Sequence, residues 1–148
     1  MGERAEKAKE LFLNGYNCSQ AVVGAFADLF GMDTKTAMRF AEGLGGGMGR
    51  MRLTCGAVSA MSLIAGLKMS NGEAKDAKTR SEIYGKVREM ADEFKEKNGS
   101  IICAELLGET LPADNGPSPE KRTEQFYKKR PCVGCVYDCA EIIEKHLL

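Results

Sequence analysis

The chain has 148 residues, and its 21 Lys and Arg balance 21 Asp and Glu, so the formal net charge is zero. That length supports one hydrophobic core without disulfide staples, and the neutral balance supplies neither a positive field for nucleic acid nor a highly charged, disordered chain. The N-terminal residues Met1–Lys7 lack the apolar core of a secretory signal, and the longest apolar stretch, the 13 residues from Cys55 to Leu67, is too short for a membrane span; the expectation is a soluble, cytoplasmic protein without membrane insertion.

Apolar residues recur at helical spacing along nearly the whole chain and no segment alternates as a strand, which predicts an all-α single domain over 1–148, a compact bundle of about six to seven helices. Ala5, Ala8, Leu11 and Phe12 mark a first helix that stops near Asn14-Gly15. Asn17 is placed to cap a second, whose stripe runs Cys18, Ala21, Val22, Ala25, Phe26 and Leu29 and ends at Gly31. Asp33 or Thr34 starts a third through Leu44, and Thr54 is read as the cap of a fourth with Cys55 in its first turn. Ser70-Asn71-Gly72-Glu73 has the form of a capping box before the stripe Ile83, Val87, Met90 and Phe94, a fifth helix expected to reach Asn98-Gly99. Ser100 is the expected cap of a short helix holding Cys103, Leu106 and Leu107, closed by Gly108. Gly108 to Pro119, rich in proline and glycine, reads as a surface excursion, and a last helix contains Cys132 to Leu147.

Four of the six cysteines thus fall at helix starts: Cys18, Cys55, Cys103 and Cys132. Free N–H groups and the positive end of the dipole stabilise a thiolate there, so the expectation is a lowered thiol pKa. Arg50 and Arg52 precede Cys55, and Lys128, Lys129 and Arg130 precede Cys132, which points the same way. In a reducing compartment such cysteines indicate redox or metal chemistry rather than permanent disulfides. The C-terminal group Cys132-Val133-Gly134-Cys135 is a C-x-x-C opening a helix, with Cys139 four residues further on, and all three overlap the apolar stripe. A C-x-x-C in this position is a redox device, and three cysteines with a fourth from elsewhere also suit tetrahedral zinc or an iron–sulfur cluster.

Other groups carry less. The run Gly43-Leu44-Gly45-Gly46-Gly47-Met48-Gly49-Arg50 lacks the Lys-Ser/Thr of a P-loop, the G-x-G-x-x-G register and a preceding strand, so it reads as a tight crossover whose amides can serve neighbouring sulfur. His146, the single histidine, sits at a helix end where its charge complements the dipole. Asp114, Glu120 and Glu124 form no spaced acid–base pair, and Tyr16 and Tyr137 read as packing residues.

The segments Tyr16-Asn17-Cys18-Ser19-Gln20-Ala21-Val22 and Cys55-Gly56-Ala57-Val58-Ser59-Ala60, the isolated Cys103, and Cys132 before a helix with Asp138 and Glu141 resemble the C-GCAxxG-C-C family of redox-active, cysteine-rich proteins. The resemblance covers nearly the whole chain and maps the family's four recurrent cysteines to Cys18, Cys55, Cys103 and Cys132. Ala60 replaces the motif's closing glycine, and Cys135 and Cys139 are additions. A similar domain within a multihaem cytochrome that carries an iron–sulfur centre keeps a cluster among the implied cofactors.

Three functions are therefore weighed. The first is thiol–disulfide exchange, with Cys55 attacking, Cys18 or Cys103 resolving and Cys132 in the same set, toward a redox partner protein or a small thiol or disulfide. The second places zinc or an iron–sulfur cluster on Cys18, Cys55, Cys103 and Cys132, with Cys135 and Cys139 as further ligands. The third is a helical interaction module with inert thiols, and small-residue helix faces leave oligomerisation open.

Overall fold

A computed structural model describes residues 2–148. Among them are eight α-helices: α1 (Glu3–Leu13), α2 (Cys18–Phe26), α3 (Thr34–Ala41), α4 (Gly56–Met69), α5 (Ala77–Asn98), α6 (Cys103–Leu107), α7 (Glu124–Lys129) and α8 (Cys132–Leu147). No strand is present among the described residues, only an isolated antiparallel bridge between Thr54 and Ile102. The expected all-α architecture is what the chain adopts. No helix is long and apolar enough to cross a membrane.

The core lies where α2, α4 and α8 meet. Seven of the nine residues of α2, Ser19 and Ala21 through Phe26, are buried, because α1, α3, α4 and α8 all pack on it. Val22, Phe26, Met61, Ile64, Phe94, Val136 and Ile143 fill the centre, each contributing roughly 1.5–3 kcal/mol of apolar burial. α5 closes the far side against α4 and α8, where Met90 and Phe94 are buried. His146 serves this packing, joining α8 to Glu93 of α5 at 2.9 Å.

Helix ends follow local chemistry, with instructive shifts. Asn17 caps α2 in a reciprocal box, its Oδ1 accepting from the Gln20 N–H at 2.9 Å while Gln20 Oε1 accepts from the Asn17 N–H at 3.1 Å. Asp33 caps α3. α5 begins at Ala77 with Asp76 as its cap, later than the Ser70–Glu73 box predicts, since the Asp76 carboxylate takes the Thr79 N–H at 3.0 Å while Ser70 and Asn71 accept only from nearby turn amides. Thr54 does not cap α4. Its backbone is drawn into the bridge with Ile102, and Cys55 itself takes the N-cap position. Ile102, not Ser100, is the N-cap of α6. α7 was not expected from the sequence; Thr123 before Glu124 and Phe126 is the signal, its Oγ1 accepting from the Phe126 N–H.

The two ends of the chain are joined. Glu144 of α8, buried, accepts the Gly2 N–H at 2.8 Å and the Ala5 N–H at 3.2 Å, placing a carboxylate at the positive end of α1.

Candidate functional site

The starts of α2, α4, α6 and α8 converge on one cavity of about 560 Å³. Cys18, Cys55, Cys103 and Cys132, together with Cys135, line it; Cys139 does not, and lies fully buried in the core. The sequence places the four recurrent cysteines at helix starts, and each does stand there, at the N-cap of α4 or the first residue of α2, α6 and α8.

Two backbone devices bring separate segments together. Residues 52–55 run antiparallel to 101–104: the Cys55 N–H donates to Ile101 O at 2.8 Å, and the Cys103 N–H to Leu53 O at 2.6 Å. This two-stranded clasp sets Cys55 beside Cys103 across nearly fifty residues of sequence. The second device is the glycine loop, in which Gly46, Gly47, Met48, Gly49, Arg50 and Arg52 all have positive φ. It curls back on itself, with Arg52 N–H donating to Gly46 O and Leu53 N–H to Gly47 O. A Cβ at Gly47 would stand 2.7 Å from Cys103 Cβ, and one at Gly56 would stand 2.6 Å from Cys18 Sγ. These two glycines let the backbone lie directly against the Cys103 side chain and the Cys18 sulfur.

The thiols are not lowered as their helix positions predict. Burial pushes Cys18 up to about 11 and Cys132 up to about 12, with neighbouring cysteines adding repulsion. The Cys55 thiol is raised well above its ordinary range, first by the neighbouring Cys135 thiol and then by burial; the Val58 and Ala57 amides at the start of α4 oppose this. Burial likewise raises Cys103 and Cys139. The physical reason is one of magnitude. Helix termini offer a fraction of a charge, whereas taking several sulfur anions out of water, side by side, costs more than those termini return.

Nor do the arginines serve Cys55. Arg52 Nη1 points at Cys103 Sγ, 3.7 Å away, and is the main influence that lowers that thiol. Arg50, Arg52 and Arg130 instead gather around Glu120, all three through its Oε1: Arg50 at 3.3 Å, Arg52 at 3.7 Å and Arg130 in closest contact. They are well covered rather than solvated, with side-chain exposures of 13%, 8% and 9%. Arg50 also donates to Gly116 O and Ser118 O, and Arg52 Nε to Asn115 Oδ1 at 2.7 Å, so the proline-rich excursion is pinned across the cavity. Arg122 completes that wall, stacked between Phe12 and Phe126 and donating to Phe12 O and Tyr16 O. Glu120, given no role by its sequence spacing, is the hub of this cluster.

Six cysteines are free and no three His, Cys, Asp or Glu side chains among the described residues stand close enough to hold a metal ion. Cys135 is the cysteine that acts most strongly on the Cys55 thiol.

The family model described as "Putative redox-active protein (C_GCAxxG_C_C)" matches residues 16–146. The chain belongs to this family. The match takes in every helix from α2 to α7 and most of α8, and all five cysteines of the cavity. No curated protein and no solved structure matches the chain.

Proposed function

We propose that this member of the family is a thiol–disulfide exchange protein whose working pair is Cys55 and Cys135. The observation that supports this reading is that both cysteines stand on the wall of one cavity that a small molecule can enter, with Cys135 the strongest influence on the Cys55 thiol. When one of the two thiols gives up its proton its sulfur becomes the nucleophile, and the other is left to resolve the mixed disulfide.

The exchange balances as follows. The first thiolate attacks one sulfur of an incoming disulfide, forming a mixed disulfide and expelling one substrate thiolate. The second cysteine gives up its proton and attacks the protein sulfur of that mixed disulfide. A Cys55–Cys135 bond forms, the second substrate thiolate leaves, and the two protons released by the pair are taken up by the two leaving thiolates. Two electrons pass from the protein to the substrate. Cys135 takes the resolving position that the sequence assigns to Cys18 or Cys103; those thiols and Cys132 line the same cavity.

The test is to oxidise the reduced protein with a small disulfide and map the cross-link by peptide mass spectrometry. A Cys55–Cys135 link that survives Cys18→Ser and Cys132→Ser supports the reading. No internal disulfide, a different pairing, or stoichiometric zinc or iron and sulfide on protein purified without oxygen overturns it.

A further inference from the structure

We propose that the arginine cluster of the cavity is a carboxylate-binding subsite, and that the disulfide exchanged here is a small acidic one. This rests on the exchange function proposed above and adds the substrate class. Three guanidinium groups converge on one carboxylate oxygen, which displays the cluster as an anion cradle. Counting every charged residue on the cavity wall, Arg50, Arg52, Arg122 and Arg130 face only Glu42 and Glu120, four positive groups against two negative.

Arg52 is the sharpest sign. Its residue is 8% exposed, and its buried Nη2 makes no hydrogen bond, since Glu120 Oε1 at 3.7 Å is beyond that reach. Its backbone is also held at φ 62, a left-handed conformation that an arginine adopts only at a cost. One covered guanidinium nitrogen without a hydrogen bond is expensive unless something supplies one. A second carboxylate drawn in beside Glu120, with the Arg52 side chain turning to meet it, supplies it and takes up part of the surplus charge. The cavity's volume is that of a site for a small molecule held whole. Phe12, Leu106, Leu107 and Phe126 add apolar wall that suits the methylene groups between a carboxylate and a disulfide.

Two disulfides of nearly equal shape make the test: dithiodiglycolate, which carries two carboxylates, and 2-hydroxyethyl disulfide, which is neutral. Rates of oxidation of the reduced full-length protein are normalised to those of a free small thiol. The expected result is a preference for dithiodiglycolate of about tenfold or more, greatly reduced in Arg52→Gln and increased in Glu120→Gln, where the competing carboxylate is gone. Thiodiglycolate, which has the carboxylates but no disulfide, is titrated calorimetrically into the wild-type protein, so the result does not depend on any variant folding; binding is expected. Equal normalised rates for the two disulfides, or no thiodiglycolate binding, overturn the acidic subsite while leaving the exchange function standing. Binding by inorganic phosphate as strong as that by thiodiglycolate overturns the carboxylate assignment in favour of a free oxyanion. Failure of both disulfides to oxidise the protein overturns the exchange function itself.

Discussion

Gly47→Ala probes the contact on which the cavity's geometry depends. Gly47 has φ +72, and an alanine in that conformation costs about 1–2 kcal/mol. Its Cβ would also stand 2.6 Å from Leu53 N, 2.7 Å from Cys103 Cβ and 2.8 Å from Arg52 C, two of them backbone atoms fixed by the clasp. Forcing such an overlap adds about 1–3 kcal/mol. Alanine's smaller unfolded-state entropy returns about 0.4–1 kcal/mol, so the net loss is about 1–5 kcal/mol. Gly49→Ala is the control: its φ of +58 carries the same conformational strain, but nothing lies within 4 Å of its Cβ position, so the expected loss is smaller by the overlap cost of about 1–3 kcal/mol. Urea unfolding of the reduced proteins, with the slope held constant, measures the difference. In Gly47→Ala the clasp loosens, and Cys103 becomes faster to alkylate in the native state. Equal stabilities for the two variants, or unchanged labelling of Cys103, would refute the claim that the glycine loop lies against that side chain.

Three further outcomes are expected. Glu144→Ala removes the carboxylate that receives two amides at the start of α1 and should cost about 2 kcal/mol in thermal or urea unfolding, with Glu144→Gln losing less because an acceptor remains. Asp76→Ala should lower the melting temperature and fray α5 by hydrogen exchange, whereas Ser70→Ala should leave α5 intact. The reduced protein should lose stability in alkali: Cys18 and Cys132 bind their protons more tightly folded than unfolded, so their contribution is complete below the ordinary thiol value of 9.0. It is lost as pH rises through about 11 and 12. Allowing for the water they meet in the cavity, the two together are worth on the order of 4 kcal/mol. A flat urea midpoint across that range would sink the assignment.

What was legible in the sequence is what local chemistry decides. Asn17, Asp33, Gly31 and Gly99 are caps whose function lies within a few residues of themselves, and the apolar stripes of α2 and α8 are read directly from their spacing. The placement of four cysteines at helix starts belongs to the same class. Thr54 and Ser100 were misread because the clasp between 52–55 and 101–104 overrides their cap chemistry, and no periodicity announces a pairing two or three residues long. Ser100 still turns its hydroxyl to the Ile102 N–H, a local bond that survives while the cap moves on by two residues.

The charges illustrate a deeper limit. Proximity in sequence suggested that Arg50 and Arg52 act on Cys55, yet the left-handed residues between 46 and 52 turn Arg52 to Cys103 and both arginines to Glu120, nearly seventy residues away. The sign of the thiol shifts was misjudged for a related reason. A helix start acts on one sulfur, but burial and mutual repulsion act on all of them at once, and both grow only when the fold has gathered the cysteines. The same gathering makes the reduced cavity a store of neutral thiols beneath a surplus of positive charge. On the exchange function and acidic subsite proposed above, such a site would react slowly with whatever merely collides with it. It would favour a reagent that brings its own negative charge to the arginines, because that reagent would be held while a proton leaves the sulfur pair.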